Sequence, residues 1–126
     1  MKPQLSVVIP TYNRVRLLKR LLKSLLGQDV ELGIFEVLVV SDGSTDNTHD
    51  YLTAFCRKHP SFRWTAQQNK GPAAARNLGL SYVESALVAF TDDDCLADSG
   101  WVQAILDMFN TRSDILGIEG KTVTIP

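Results

Sequence analysis

Three adjacent carboxylates, Asp92, Asp93 and Asp94, directly follow a short apolar run and are the strongest chemical signal in this sequence. Adjacent carboxylates repel one another, so folding disfavours them unless a cation compensates their charge. Hard divalent ions such as Mg²⁺ and Mn²⁺ take oxygen ligands and commonly bridge one or two carboxylates to substrate phosphates. In an extended segment alternate side chains share a face, so Asp92 and Asp94 are predicted to converge while Asp93 points elsewhere. The alternative interpretation is a solvated acidic turn.

A fourth carboxylate, Asp42, opens the segment Asp42-Gly43-Ser44-Thr45-Asp46. A turn followed by a helix N-cap accounts for the glycine and the two hydroxyl residues without any ligand. It does not account for Asp42, which stands where an apolar run ends. A carboxylate in that place can accept hydrogen bonds from a base N–H or a ribose hydroxyl, as acidic residues do in dinucleotide-binding folds.

Arg14 and Arg76 each fall in the first turns of a predicted helix, where the helix dipole disfavours a cation. A bound anion would reverse the sign, because backbone N–H groups and the guanidinium would then hold it together. Around Arg76, residues 71–75 have almost no side-chain bulk, which allows a close approach to the sheet or to a ligand. Tyr12 follows a strand end, where its ring could stack on a base. Snorkelling of Arg14 and simple packing of Tyr12 are the alternatives.

Apolar strands and amphipathic helices alternate along the chain and must position these residues. Strands are predicted at residues 5–9, 35–40, 62–65, 86–90, 115–118 and 121–125. Helices are predicted at residues 14–26, 44 or 45 to 58, 71–82, and after a cap at Asp98 or Ser99. This alternation indicates one α/β domain over residues 1–126, with a mostly parallel sheet covered by helices on both faces. Ligands of such sheets bind at the carboxyl ends of the strands, where the polar segments fall.

Composition and missing motifs exclude several function classes. With 13 basic and 14 acidic residues the formal charge is −1, which predicts no general binding to nucleic acid. No apolar run reaches the roughly 20 residues of a membrane span. No signal peptide is evident, so we expect a cytoplasmic protein, or part of a longer one at the inner face of the membrane. The missing G-x-G-x-x-G and P-loop motifs disfavour a nicotinamide, flavin or P-loop nucleotide site.

The cysteines and histidines carry no recognisable site. Cys56 and Cys95 follow no disulfide spacing. Cys56 precedes His59 by three residues, but no second Cys/His pair completes a zinc site. His49 and His59 are expected to face solvent.

Four segments, in this order, resemble the family 2 glycosyltransferases of the GT-A fold, a Rossmann-like fold of nucleotide-diphospho-sugar transferases. They are residues 7–14, 39–46, 69–79 and 90–94, and together they span nearly the whole chain. The set is far more specific than the D-x-D motif within it. The resemblance implies an inverting transfer of a sugar from a nucleotide-diphospho-sugar donor to a hydroxyl of a glycan, a lipid or another acceptor. By family analogy the product would be a bacterial surface polysaccharide or glycolipid.

The same resemblance implies roles for individual residues. Tyr12 would pack against the base and Asp42 would hydrogen-bond it, while Arg76 would lie near the base or the diphosphate. Asp92 would contact the ribose and share a Mg²⁺ or Mn²⁺ with Asp94, or with Asp93 as the alternative to Asp94. The further donor-binding residues that it implies are Pro10, Thr11, Arg14, Asn69, Gly71 and Asp93.

The sequence departs from the family pattern at two places. The family often has two acids before the glycine, whereas this chain has Ser41-Asp42, so the base contact rests on Asp42 alone. Inversion also needs a general base, which the family supplies from an acid well past the metal motif. The acids in that part of this chain are Asp107, Asp114 and Glu119. None matches the family's base, so we expect the donor-binding half of a longer transferase, truncated before its acceptor site and inactive alone.

Two alternatives to a transferase remain open from the sequence. A non-catalytic nucleotide-sugar-binding module or remnant is favoured by the missing base. A haloacid-dehalogenase-type phosphotransferase also has acids after a buried strand, in a D-x-D-x-[TV] signature. Here Asp92 to Leu96 lacks the Thr or Val and lies on the fourth predicted strand, which disfavours that class.

Overall fold

Strands and helices alternate through the computed structural model, which describes residues 2–120. The strands are β1 (Leu5–Thr11), β2 (Phe35–Ser41), β3 (Phe62–Ala66) and β4 (Leu87–Phe90). The helices are α1 (Val15–Leu26), α2 (Thr48–Lys58), α3 (Pro72–Tyr82) and α4 (Trp101–Thr111). The chain therefore has the strand–helix rhythm that its apolar pattern predicts.

The four strands form one parallel sheet in the order β3-β2-β1-β4. The chain builds the sheet outward from β1 through β2 to β3, and then crosses back to place β4 on the other side of β1. The strand order thus reverses between β1 and β4. Ligands of open α/β sheets bind outside the carboxyl ends of the strands at such a switch point, so the loops after β1 and β4 mark the expected crevice.

Both faces of the sheet are covered. On one face, side chains of α1, α2 and α4, among them Leu21, Leu52 and Val102, pack with Val7 and Val39 of the central strands. On the other face α3 packs against Val8, Leu38 and Val40. The predicted α/β architecture with helices on both faces is therefore confirmed.

Several predicted boundaries differ from the structure. β1 continues past residue 9 to Thr11, because its pairing with β2 runs on through Pro10. α2 begins at Thr48 rather than at residue 44 or 45, because residues 44–46 form hydrogen bonds with Asn13 in the loop after β1. α4 begins at Trp101, and the Gln28 side chain, not a cap at Asp98 or Ser99, accepts the Val102 N–H at 2.9 Å. Residues 115–118 form no strand, and the strand predicted at 121–125 lies outside the described residues.

Gly79 allows α3 to lie close to the sheet. It is buried on the inner side of the helix, and a Cβ built there would stand 2.5 Å from Val8 Cγ1 and 3.3 Å from Val40 Cγ2. The first distance is far shorter than a van der Waals contact allows, and the second is tighter than most such contacts. The missing side chain therefore fixes the separation of α3 from the two central strands.

Gly79→Ala is expected to destabilise the fold by about 1–3 kcal/mol through overpacking, although alanine is the better helix former. Gly27→Ala is the matched control, since its Cβ would meet only carbonyl oxygens at 3.7 Å and its φ of −89° suits alanine. We expect that control to change stability by less than about 0.5 kcal/mol. Urea unfolding followed by circular dichroism measures both, and an equal effect of the two variants would contradict the close-packing argument.

Candidate functional site

The loops that follow the four strands meet at the carboxyl end of the sheet, and side-chain hydrogen bonds join them. They comprise residues 11–14, 41–47 and 66–71, each beginning with the last residue of β1, β2 or β3, and residues 91–95 after β4. Because the strands are parallel and adjacent, their ends lie side by side. The carboxyl-end loops, as we call these four segments, contain every site residue predicted from the sequence except Pro10, which is buried within β1, and Arg76 on α3.

Asn13 joins the first two carboxyl-end loops. Its φ of +52° lies in the left-handed region, which asparagine tolerates better than most residues. Its Oδ1 accepts hydrogen bonds from the N–H groups of Thr45 at 2.7 Å and Asp46 at 3.2 Å, and its own N–H donates to Ser44 Oγ at 3.1 Å. The sequence reasoning missed this residue, and its type at a strand–helix junction was the available signal.

Asp46 fixes the starts of two helices. Its Oδ1 accepts hydrogen bonds from the Thr48 N–H at 3.0 Å and from the Thr48 hydroxyl, and its Oδ2 accepts from the Val15 N–H at 3.4 Å. Partial burial alone would raise the pKa of Asp46, but these hydrogen bonds outweigh it and lower the pKa below its ordinary value. Asp46 therefore supplies the anion at the N-termini of α1 and α2.

Asp42 is turned into the protein and only 5% exposed. Its Oδ1 accepts hydrogen bonds from the Lys70 N–H at 2.7 Å and from Gln67 Nε2 at 2.9 Å, and its Oδ2 accepts from the Gly71 N–H at 2.9 Å. Burial would raise the pKa of Asp42, but these donors lower it below its ordinary value. The carboxylate thus joins the loop after β2 to the loop after β3.

Asp93 points inward between its two neighbours and joins the loop after β4 to the loop after β1. It is 5% exposed, accepts from Thr11 Oγ1 at 2.8 Å, and lies 3.3 Å from Arg14 Nη1. Burial raises the pKa of Asp93, as does the Asp94 charge, and the contacts with Thr11 and Arg14 offset only part of this. These contacts hold the Asp93 side chain in the protein interior.

Asp92 and Asp94 remain on the exposed side of the same segment, with 62% and 52% of their side chains exposed. The segment is a turn rather than an extended chain, since the Cys95 N–H donates to the Asp92 carbonyl at 3.2 Å. Arg76 Nη2 lies 3.0 Å from Asp92, and Arg14 Nη1 lies 3.7 Å from Asp94. Both arginines therefore direct their charge at the acidic turn. The sequence predicts an anion near each of these arginines, and in the structure that anion is a carboxylate of the turn.

The remaining predicted residues lie around this centre. Tyr12 is 43% exposed at the tip of the loop after β1, where its ring is open to a ligand. Asn69 is exposed, and Gly71 takes a φ of +96° directly before α3. Thr11, by contrast, is buried and engaged with Asp93.

The two histidines do not simply face solvent, as the sequence analysis expected. His49 Nε2 lies 2.8 Å from Ser41 Oγ, and its ring stands 4.9 Å from that of Trp64. His59 lies against Phe55, with ring centroids 4.5 Å apart. His49 thus packs from the start of α2 against β3, and His59 packs at the C-terminal end of α2, contacts that residue spacing alone does not indicate.

The exposed carboxylates fit a divalent cation that a phosphate ligand helps to hold. Within residues 2–120, no cluster of three or more His, Cys, Asp or Glu side chains could enclose a metal ion by itself. Mg²⁺ and Mn²⁺ are commonly held by one or two carboxylates together with substrate phosphates and water. Asp92 and Asp94 would supply the protein's share of such a shell, and Arg14 and Arg76 stand beside them to meet the phosphates.

The family described as "Glycosyl transferase family 2" has a model that matches residues 6–119, which include all four carboxyl-end loops. This chain belongs to glycosyl transferase family 2. The family resemblance found in the sequence is thereby confirmed, and the match lends no support to a haloacid-dehalogenase-type phosphotransferase.

Relatives of this family 2 chain agree in sequence and in fold. A validoxylamine A glucosyltransferase of Streptomyces hygroscopicus is 42% identical over 106 residues, which cover 82% of this chain and 25% of the relative. S. aureus TarS 1-349, solved with UDP-GlcNAc, superposes with a TM-score of 0.81 at 29% identity, over 99% of this chain and 37% of that one. The mannosyltransferase PcManGT from Pyrobaculum calidifontis, solved with GDP-Man and Mn²⁺, gives 0.67 at 31% identity, over 76% and 29%.

These matches confirm the GT-A fold. They cover only part of each relative. The chain spans 13% to 25% of the length of the first curated relatives that it matches. In the part of the family 2 chain that the structure describes, no helix has the length and hydropathy to cross a membrane.

Asp46→Asn is expected to weaken the acid dependence of stability. The folded chain holds the pKa of Asp46 below its ordinary value, so below about pH 4 the unfolded chain takes up this proton first. The carboxylate therefore adds stability above about pH 4, and this contribution is lost as the pH falls through the folded-state pKa. Thermal unfolding of the variant should show a lower Tm at neutral pH and a shallower decline on acidification.

Asp107→Asn is the matched control for that measurement, since Asp107 is exposed on α4 and, among residues 2–120, its carboxylate accepts a hydrogen bond from Gln103 alone. Its profile should follow the wild type. Parallel acid limbs for wild type and Asp46→Asn would contradict the assigned role of Asp46.

Proposed function

We propose that this chain binds the nucleotide-diphospho-sugar donor of an inverting, metal-assisted glycosyltransferase. The observation that carries the proposal is the exposed acidic turn at the switch point of the sheet, flanked by Arg14 and Arg76. A diphosphate leaving group gains negative charge as the bond to the sugar breaks. A divalent ion and two guanidinium groups at that place would stabilise the developing charge.

The proposed donor contacts follow the arrangement of the carboxyl-end loops. The base lies beside the exposed Tyr12 ring and the buried Asp42 carboxylate. The other residues proposed near the base are Pro10, Thr11, Asn69 and Gly71. Asp92 would reach the ribose, and Asp92 and Asp94 would together hold one Mg²⁺ or Mn²⁺, which would supply positive charge to the diphosphate. Arg14 and Arg76 contact the diphosphate. Asp93 is buried and positions Arg14 through a hydrogen bond, so we do not propose it as the alternative metal ligand.

The relatives support a nucleotide-sugar donor without fixing its base. The TarS structure contains UDP-GlcNAc and the PcManGT structure contains GDP-Man and Mn²⁺. We therefore propose a uridine or guanosine diphosphate sugar as donor and a hydroxyl of a glycan, a lipid or another molecule as acceptor.

Donor binding and sugar transfer are separable in this proposal. Deprotonating an acceptor hydroxyl needs a general base. The carboxylates of the carboxyl-end loops already contact arginines or backbone N–H groups, and none of them is proposed for that role. We therefore expect the 126 residues to bind the donor without transferring its sugar, which is also the property of the alternative candidate, a non-catalytic nucleotide-sugar-binding module.

Calorimetric titration of the chain with UDP and with GDP, each with and without Mn²⁺, tests the donor site. At least one nucleotide should bind in a Mn²⁺-dependent manner, and Asp94→Asn and Asp92→Asn should each weaken that binding by about tenfold or more, or about 1.4 kcal/mol. Asp107→Asn is the isosteric control and should bind as the wild type does. Equal affinity in EDTA would contradict the metal assignment, and no binding of either nucleotide would contradict the donor site.

A further inference from the structure

We propose that Asp42 is a positioning residue, whose carboxylate sets the turn after β3 and thereby directs Arg76 at the acidic turn. The inference rests on the proposed donor site and assigns Asp42 a role beyond contact with the base. Its consequence is that loss of the Asp42 carboxylate weakens the binding of every donor nucleotide, whichever base it carries.

The hydrogen-bonding capacity of Asp42 is largely used within the protein. A carboxylate has roughly four lone-pair positions, and three of them accept hydrogen bonds from the single segment of residues 67–71. The Asp42 N–H donates in turn to the Thr11 carbonyl at 2.8 Å. Since only 5% of Asp42 is exposed, most of its hydrogen bonds are made within the protein and little of the carboxylate is open to a ligand.

One of these three donors, the Gly71 N–H, lies at the start of α3. Gly71 holds a φ of +96°, and its N–H is fixed by Asp42 Oδ2 at 2.9 Å. Its carbonyl then accepts the Ala75 N–H at 3.1 Å, which is the first hydrogen bond of the helix. The residue after Ala75 is Arg76, whose Nη2 lies 3.0 Å from Asp92. A continuous chain of contacts therefore leads from Asp42 to the acidic turn.

The two loops that Asp42 joins are also in close contact. A Cβ at Gly43, which has a φ of +77°, would lie 3.0 Å from the Asn69 backbone nitrogen and 3.4 Å from the Gln67 carbonyl oxygen. This glycine allows the β2 loop to approach the β3 loop closely enough for Asp42 to reach the N–H groups of Lys70 and Gly71. The close approach at Gly43 and the hydrogen bonds of Asp42 therefore both join the loop after β2 to the loop after β3.

Asp42→Asn tests the inference, because the amide keeps the shape but replaces one acceptor oxygen by a donor facing N–H groups. We expect it to weaken Mn²⁺-dependent binding of UDP and of GDP by the same factor, about tenfold, measured by calorimetry. With Arg76→Ala the effects should not add: the double variant should bind about as weakly as Arg76→Ala alone. Gln67→Ala removes one donor and leaves the anion, so it should give a smaller loss that is again equal for both nucleotides.

A second measurement needs no ligand. Amide hydrogen exchange of Lys70 and Gly71 should accelerate at least about tenfold in Asp42→Asn, while the amides of β1 keep their protection. Unchanged exchange of the Lys70 and Gly71 amides in Asp42→Asn would overturn the inference. A loss of affinity confined to one nucleotide and additive with that of Arg76→Ala would also overturn it, because it would indicate that Asp42 only contacts the base. If Asp42→Asn does not fold, Gln67→Ala decides by the same criteria. Failure of the wild type to bind either nucleotide refutes the proposed function and leaves the exchange test of Asp42 intact.

Discussion

The carboxyl end of this sheet depends on aspartates that are satisfied by neighbouring loops. A buried carboxylate is costly unless hydrogen bonds or opposite charges compensate it. Asp42 obtains N–H donors from the loop after β3. Asp93 obtains the Thr11 hydroxyl from the end of β1 and the Arg14 guanidinium from the start of α1. Asp46, nearer the surface, caps α2. Each anion therefore exists in its place only when two loops are correctly assembled, and the loops in turn are held by the anions.

This arrangement divides the carboxylates into two groups with different tasks. Asp42, Asp46 and Asp93 hold the protein together, whereas Asp92 and Asp94 keep most of their side chains exposed. Pre-organisation of this kind places charges where a ligand needs them without further rearrangement. In the proposed function Asp92 and Asp94 meet a metal ion and the phosphates, while Asp42, Asp46 and Asp93 hold the loops that carry these two residues and the arginines. One inward residue, Asp93, lies between the two exposed ones, so the acidic turn is anchored at its centre.

Much of the fold could be predicted from the sequence, because buried parallel strands leave near-continuous apolar runs such as residues 35–40 and amphipathic helices leave paired leucines such as those of α1. The family and the GT-A fold followed from four short segments. The hydrogen-bond partners of individual side chains could not be predicted, although the opposite direction of Asp93 relative to Asp92 and Asp94 was. Asp42 looks like a free ligand group in sequence, because its N–H partners lie about 28 residues away and carry no side-chain signature. Asn13 and His49 were missed for the same reason, since their partners are brought close only by the sheet.

The central claim is that donor nucleotide binds across the carboxyl-end loops, and resonance-by-resonance mapping tests it most directly. Nuclear magnetic resonance of the ¹⁵N-labelled chain would follow UDP or GDP added with Mg²⁺, and then with trace Mn²⁺ as a paramagnetic probe. We expect shifted amides in residues 11–14, 42–46, 67–76 and 92–95, with the strongest Mn²⁺ broadening at Asp92 to Cys95. Shifts centred on Gln4, Ile34 and Leu106, which line a cleft at the opposite end of the sheet, would contradict it.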